Sequence, residues 1–232
     1  MKLLQTTINT AVFWFSLIIS FIIFSSLGYV RSVFRKNKQP YLLTAGKSWA
    51  RFLLKVNRIK CRTIGLENFD NTEQYIIASN HQSVTDILIA LAIIPVPFIF
   101  LVKESLFKVP LFGYYMKKAG YLSVSRKNAK ADYHMLKESS KSVVSIFIFP
   151  EGSRSRDGEM TRLKPGISKI SELTNFKTVP MSIRGSINLM RSGCRVFKPG
   201  EVLVLFGSPI SWNGDKSTYL SGLKATIENN LL

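Results

Sequence analysis

The feature that most constrains the fold is an alternation of short apolar runs with helical stretches beyond residue 60. The apolar runs are typical of strands and cover 75–79, 98–102, 121–125, 143–149, 178–183 and 201–206. Stretches with helical periodicity separate them, at about 84–94, 109–118, 129–141, 165–174 and 215–230. Several runs are apolar on both faces, as strands covered by helices are. The pattern predicts an α/β fold with a largely parallel sheet flanked by helices, over residues 59–232.

The N-terminal segment has a different character. No charged residue lies between Leu3 and Val30, and Ala11–Val30 is mostly apolar. Twenty helical residues at about 1.5 Å each span about 30 Å, the thickness of a bilayer's hydrocarbon core. A membrane-attaching helix, a secretory signal peptide and a buried core helix all fit this length. We favour the membrane helix, because a signal peptide has a shorter apolar region and is not followed directly by a basic cluster.

Charges flanking the apolar segment indicate its orientation. Arg31, Arg35, Lys36 and Lys38 follow it, whereas only Lys2 precedes it. Because basic residues collect on the cytoplasmic side of a membrane segment, we expect the rest of the chain to lie in the cytoplasm. The expected location is therefore the cytoplasmic face of the inner or plasma membrane, or its equivalent.

A basic amphipathic helix is predicted after Pro40. Apolar residues recur at near-helical spacing through 41–59, and Lys47, Arg51, Lys55 and Arg58 fall between them. Such a helix lies in a lipid interface or packs on its own domain, and the pattern leaves both open. We predict that residues 1–58 form a membrane-associated helical segment ahead of the α/β domain.

Composition indicates an anionic partner. The chain has 32 Lys and Arg against 14 Asp and Glu, a net charge of +18. The basic residues are spread among apolar runs and form no polar arm, so we expect a membrane surface or phosphorylated substrates and no nucleic acid. Cys61 and Cys194 lie too far apart in sequence for a zinc motif, and two such cysteines suit a reducing compartment.

Polar residues follow the first predicted core strand. His81 is one of two histidines in the chain, and Asp86 comes five positions later. Five helical residues turn about 500°, so the two side chains meet only if His81 precedes the helix and Asp86 lies in its first turn. They would then form a base and its orienting carboxylate. Alternatively, Ser83 to Asp86 is a capping box that starts the helix. The spacing leaves both interpretations open.

Cationic residues and a polar turn follow the next strands. Arg126 stands at the end of the third strand, after several lysines including Lys103. An arginine at a strand end suits a phosphate, and solvated surface charge is the alternative.

The fourth strand is followed by the turn Phe149–Pro150–Glu151–Gly152–Ser153–Arg154–Ser155. Gly152 permits close backbone approach, and nearby N–H groups could hold an anion. A plain turn would not need so many charged and hydroxyl groups.

Together these residues resemble the glycerolipid acyltransferase family, most closely its lysophosphatidate acyltransferases. Four blocks appear in order: N-H-x4-D at Asn80, His81 and Asp86; a block ending at Arg126; F-P-E-G-[ST]-R-S at 149–155; and V-P-x-x-I at 179–183. The resemblance covers about residues 60–210. The second block commonly has Asp before its arginine, where this chain has Ser125.

The resemblance implies a reaction and roles for these residues. A fatty acyl group would pass from a thioester, acyl-CoA or acyl carrier protein, to the hydroxyl of lysophosphatidate, giving phosphatidate for phospholipid synthesis. Another lysolipid acceptor is the alternative. The family's positions imply His81, Asp86 and Glu151 as catalytic residues and a substrate-binding set of Lys103, Arg126, Gly152, Ser153 and Arg154. No metal and no cofactor is expected, and the N-terminal helical pair would attach the domain to one leaflet of the bilayer.

Overall fold

The computed structural model describes residues 2–124 and 144–231. Seven strands are present: β1 (Ile59–Ile64), β2 (Tyr75–Ser79), β3 (Phe98–Lys103), β4 (Leu122–Val124), β5 (Ser145–Ile148), β6 (Lys177–Arg184) and β7 (Gly200–Phe206). The described α-helices are α1 (Lys2–Ser32), α2 (Gln39–Val56), α3 (Thr85–Ile93), α4 (Phe112–Lys118), α5 (Gly166–Thr174), α6 (Ser186–Leu189) and α7 (Lys216–Asn229). Two short 3₁₀ turns cover Leu66–Asn68 and Glu104–Lys108.

The strands form one mixed sheet in the order β1-β7-β6-β2-β5-β3-β4. Neighbouring strands run parallel except β6 and β7, which are antiparallel. The predicted α/β class with a largely parallel sheet is therefore confirmed. Because β2, β5, β6 and β3 run in the same direction, their carboxyl ends lie along one edge of the sheet, which we call the catalytic edge.

Helices cover both faces of the sheet. The larger core joins one face to α3, α2 and the inner side of α1, and its fully buried side chains include Phe13, Leu53, Ile89 and Phe147. The other core joins the opposite face to α5 and α7 through Ile170, Tyr219 and Leu223 among others. Burial of large apolar side chains on both faces is the main term that stabilises such a sandwich.

The helix α1 lies along α2 and the domain. Trp49 of α2 donates its indole N–H to Ser20 of α1 at 2.9 Å, and a Cβ added at Gly28 would meet Ala45 at 2.6 Å. The opposite side of α1 is an exposed apolar face. It includes Leu3, Leu4, Ile8, Phe15, Ile18, Ile23, Leu27 and Val30. Among the described residues, α1 is the one helix long and apolar enough to cross a bilayer by length and composition.

Most predicted elements coincide with observed ones. The strand predicted at 143–149 is observed at Ser145–Ile148, its first predicted residue lying outside the described residues, and the helix predicted at 41–59 ends at Val56. The prediction missed β1, which begins at Ile59 and pairs with β7. The predicted helix 129–141, His134 and the last residue of the predicted strand 121–125 lie outside the described residues.

Candidate active site

The catalytic edge brings together residues that are distant in sequence. β2 lies between β5 and β6, so the loops that follow these three strands are neighbours. The side chain of Asn80 fixes the first loop to β6, because its Oδ1 accepts the Ile183 N–H at 2.8 Å and its Nδ2 donates to the Ile183 carbonyl at 3.0 Å. Asn80 therefore extends the sheet by one residue and holds the start of the His81 loop in place.

His81 and Asp86 form a hydrogen-bonded pair. The Nδ1 of His81 is 2.8 Å from Oδ2 of Asp86, which is completely buried. A carboxylate only accepts, so Nδ1 carries the proton and Nε2 remains a proton acceptor. The same Oδ2 accepts the N–H groups of Gln82 and Ser83 at 2.7 and 2.8 Å. Asp86 therefore lies in the first turn of α3 and contacts His81, as the pairing requires. The capping box is formed only in part, because Asp86 accepts the Ser83 N–H while Val84, which precedes the helix, makes no side-chain cap.

Glu151 is buried behind His81 and contacts main chain. Its Oε1 accepts the His81 N–H at 3.1 Å, and its Oε2 accepts the N–H and hydroxyl of Thr161 at 2.8 and 3.0 Å. The Ser155 N–H donates to the His81 carbonyl at 2.7 Å. The turn after β5 therefore holds both backbone polar groups of His81. A carboxylate hydrogen-bonded in this way is suited to hold the His81 loop in position.

Phe149 stacks on the imidazole of His81. The ring centroids are 3.8 Å apart, and the planes differ by 11°. Gly152, two residues past Pro150, has φ of 72°, a left-handed conformation that favours glycine, and its N–H donates to the Phe149 carbonyl at 3.0 Å. We call residues 149–158 the motif turn. Its glycine gives the turn its backbone conformation, and its phenylalanine supplies the flat surface that contacts the His81 ring.

An apolar cavity of about 290 Å³ begins at this histidine. His81, Phe149 and Gly152 line it together with Lys103 at the end of β3. The rest of the wall is almost entirely apolar and comes mainly from α1, α2, α3, β3, the 3₁₀ turn after β3 and α4. It includes Phe21, Gly46, Trp49, Leu91, Phe100, Leu106, Phe112, Tyr115 and Met116. A partly enclosed apolar space beside a base and a cation fits a molecule with a long hydrocarbon tail and a polar head.

The remaining predicted site residues lie at the catalytic edge or outside the described residues. Lys103 is exposed and lines the cavity mouth, while Ser153 and Arg154 are exposed on the motif turn. Arg126 lies outside the described residues. Lys103, Gly152 and His81 are therefore brought together around one cavity.

Sequence reasoning missed two supporting residues. Thr161 lies ten residues past Glu151, and no motif marks it, although it makes two of the hydrogen bonds to Glu151 described above. Gln82 donates its amide to the Gly158 carbonyl at 2.7 Å and so connects the histidine loop to the motif turn. Only the position of Gln82 beside His81 hinted at a role.

Comparison with known proteins identifies the family of the chain. A family model described as acyltransferase matches residues 60–184. This range includes the loop that carries His81, the cavity-lining strand β3 and the motif turn. The chain belongs to the acyltransferase family, and the resemblance inferred from its four blocks is confirmed.

Relatives and a solved structure define the likeness further. A chloroplastic 1-acyl-sn-glycerol-3-phosphate acyltransferase of Arabidopsis thaliana is 32% identical over 161 residues, which cover 67% of this chain and 44% of that protein. The 1-acyl-sn-glycerol-3-phosphate acyltransferase of Cocos nucifera is 32% identical over 161 residues, covering 66% of this chain and 52% of that protein. The chain thus spans about half the length of these relatives.

The fold matches that of the crystal structure of PlsC, the 1-acyl-sn-glycerophosphate acyltransferase of Thermotoga maritima. The TM-score is 0.90 and the sequence identity 22%, and the match covers 100% of this chain and 96% of the other. The match includes the N-terminal helices as well as the α/β sheet, so the whole architecture is shared.

Proposed function

We propose that this protein transfers a fatty acyl group from an acyl thioester to the free hydroxyl of lysophosphatidate, forming phosphatidate. The observation that carries the proposal is the hydrogen-bonded His81–Asp86 pair, with His81 lining a partly enclosed apolar cavity. The relatives named above, which act on 1-acyl-sn-glycerol-3-phosphate by name, support lysophosphatidate as the acceptor.

The chemistry begins with His81 as general base. Its Nε2 takes the proton of the acceptor hydroxyl while that oxygen attacks the thioester carbonyl. The carbon–sulfur bond then breaks, and the thiolate leaves with the proton that the imidazolium returns. Asp86 keeps the imidazole in the required tautomer and stabilises its positive charge during the reaction. Because the thioester is already activated, no acyl-enzyme intermediate is required.

The two substrates are assigned to the apolar cavity and to the cations beside it. The fatty chain of the thioester occupies the apolar cavity, where burial of each methylene contributes about 0.8 kcal/mol. The phosphate of the acceptor faces Lys103 and Arg154 at the catalytic edge, with Gly152 and Ser153 beside Arg154 on the turn. Arg126, which lies outside the described residues, is assigned to the same phosphate from the sequence motif alone. Arginine suits this role because its guanidinium binds phosphate oxygens in pairs. Acyl-CoA and acyl carrier protein are both candidate donors.

Glu151, grouped with the catalytic residues in the sequence, has a positioning role in this proposal. Both of its oxygens accept hydrogen bonds from His81 and Thr161, so it holds the loop that carries the base. It acts on the reaction through His81 and not by touching the substrate.

Membrane attachment belongs to the same proposal. Residues 1–58 act as a membrane-associated segment, and residues 59–232 form the acyltransferase domain on the cytoplasmic side of the bilayer. The apolar outer face of α1 supports this, because large apolar patches on a surface mark contact sites. Substrate and product are both lipids, so the cavity needs access to the bilayer.

The proposal is tested with purified protein in detergent or liposomes, supplied with palmitoyl-CoA or palmitoyl-acyl carrier protein. Release of free thiol and formation of phosphatidate should depend on lysophosphatidate. The His81→Ala variant should lose nearly all turnover, whereas His134→Ala, which replaces the only other histidine, should retain it. Turnover with other lysolipids but not lysophosphatidate would favour the alternative acceptor, and no turnover with any of them would contradict the proposed reaction.

A further inference from the structure

We propose that residues 191–198, between α6 and β7, bind the anionic headgroups of a phospholipid bilayer beside α1. We call this segment the basic loop. The proposal rests on the proposed attachment of α1 to a membrane and adds a second contact, with a phosphate-bearing lipid surface, far along the chain from the N-terminal segment.

The basic loop is held firmly on α1. Phe197 stacks on Phe13 with ring centroids 4.5 Å apart and planes 16° apart. The indole N–H of Trp14 donates to the Arg195 carbonyl at 2.9 Å, and the hydroxyl of Thr10 accepts the Phe197 N–H at 3.1 Å. The loop therefore moves with α1, and whatever surface α1 contacts lies close to the loop.

The charged side chains of the basic loop are all cationic and exposed. Arg191, Arg195 and Lys198 are exposed, and Val196 among them is 43% exposed. Within residues 2–124 and 144–231, none of the three cations pairs with a carboxylate at salt-bridge distance. Exposed cations around an exposed apolar side chain match a bilayer interface, where phosphates lie just above the hydrocarbon.

The basic loop contacts the N-terminal half of α1, away from the cations at the other end of the helix. The rest of the chain contacts α1 along most of its length. Near one end Asn9 accepts a 2.8 Å hydrogen bond from Arg58, and near the other the rings of Tyr29 and Tyr114 have centroids 6.5 Å apart. These contacts extend over about 30 Å of helix, so α1 lies along the domain surface. The other end of α1 has Arg31 in its last turn and is followed by Arg35, Lys36 and Lys38. Cations at both ends of a helix that lies flat would reach headgroups of the same leaflet.

The basic loop also extends toward the active site. Asp157 of the motif turn has its pKa lowered by the Ser155 hydroxyl and the Glu159 N–H, and the charge of Arg191 adds to this effect. Geometry agrees, because a Cβ added at Gly158 would lie 3.7 Å from Ile187 of α6, the helix that leads into the basic loop. The loop therefore starts near the motif turn at Arg191 and reaches α1 at Arg195, whose carbonyl accepts from Trp14. Binding of the loop to headgroups would hold the catalytic edge close to the level at which the lipid acceptor presents its phosphate.

The test measures binding to vesicles of phosphatidylcholine alone and of equal parts phosphatidylcholine and phosphatidylglycerol. We expect the wild-type protein to bind the anionic vesicles more tightly than the neutral ones. The affinity of R191Q/R195Q/K198Q for the anionic vesicles should fall by about fivefold for each charge removed. The matched control K169Q/K216Q/K224Q removes the same charge from α5 and α7 on the opposite face, and should bind like wild type. Equal losses in both variants, or no loss in either, would overturn the proposal.

Two further observations separate failure of the loop from failure of membrane attachment. Wild-type protein that binds neither vesicle would refute both proposals, whereas equal binding to both vesicles would refute only the basic loop. A polarity-sensitive dye on Cys194 reports the loop without altering its charges, because Cys194 is exposed and burial raises the pKa of the Cys61 thiol to about 11. Dye emission should shift to shorter wavelength on anionic vesicles; unchanged emission on bound protein would contradict loop contact.

Discussion

The imidazole of His81 lies face to face on the ring of Phe149, with centroids 3.8 Å apart. The ring that supports the base belongs to the motif turn after β5, whereas the base itself follows β2. Their contact depends on β2 and β5 being neighbours in the sheet.

Replacing Phe149 tests this stacking. Phe149→Leu keeps an apolar side chain but removes the flat surface, so the imidazole gains freedom; we expect kcat to fall about tenfold with little change in KM, since such stacking contributes about 0.5–1.5 kcal/mol. Phe149→Tyr should restore most of the rate. Steady-state kinetics of both variants give kcat and KM separately. A rise in KM alone for the leucine variant would assign Phe149 to substrate binding instead of support of His81.

The carboxylate of Asp86 is expected to contribute through its charge. Asp86→Asn keeps the shape and an oxygen for the Gln82 and Ser83 N–H groups, but it no longer stabilises a positively charged His81. By analogy with other carboxylate–histidine pairs, kcat should fall by about 10³–10⁴. The melting temperature, measured alongside kcat, should change little. A large loss of stability with a residual rate near wild type would identify a helix-capping role only.

Thr161 is expected to act through Glu151. Thr161→Val removes one hydrogen bond to the buried carboxylate, at a cost of about 1–3 kcal/mol, and loosens the His81 loop. We predict a lower kcat with KM for both substrates unchanged, and recovery in Thr161→Ser, which restores the hydroxyl. Recovery of stability without recovery of kcat in the serine variant would argue against this positioning role.

The apolar cavity should determine the preferred acyl chain. A Cβ added at Gly46 lies 3.2 Å from the Tyr115 hydroxyl and 4.0 Å from Leu91, so a larger side chain there would occupy the cavity. Gly46→Leu should lower kcat/KM for palmitoyl-CoA relative to shorter acyl-CoA molecules by about tenfold or more, as expected from losing two or more buried methylenes.

A matched control for the cavity prediction is Gly222→Leu. Gly222 lies on α7 with open space around its Cβ position, so the same substitution there leaves the cavity intact. Its chain-length profile should match that of wild type. If Gly46→Leu also keeps the wild-type profile, the fatty chain binds elsewhere.

Substitutions on the outer face of α1 test membrane attachment better than deletion of the helix. Phe13 is fully buried in the core, so removing residues 1–38 would expose the core as well as remove the anchor. Phe15→Gln with Ile18→Gln changes only exposed positions and should reduce flotation with liposomes several-fold. Ile64→Gln with Leu66→Gln, equally exposed but far from α1 in sequence, should not. Equal flotation of both double variants would locate the anchor elsewhere.

Much of the layout follows from local sequence. The residues of β2, β3, β6 and β7 are short apolar runs typical of strands, and the periodicity of α3, α5 and α7 is helical. β1 escaped prediction because Lys60 and Arg62 alternate with Cys61 and Thr63 at an edge, and its partner β7 lies about 140 residues away. The direction of β7, antiparallel to β6, depends on the path of its connection and not on its composition.

The candidate site divides in the same way. Its chemistry was evident from local signals: a histidine and an aspartate five residues apart, and a charged turn after a buried strand. The sequence could not decide whether Asp86 contacts His81 or caps α3, because the answer depends on where the loop ends and the helix begins. The bonds from Glu151 to His81 and Thr161, and the stack of Phe149 on His81, exist only because the sheet places β2 beside β5. Local periodicity and motifs therefore determined the elements and the reactive groups, and the tertiary structure decided which of those groups meet, because contacts across the sheet depend on strand order that no local pattern encodes.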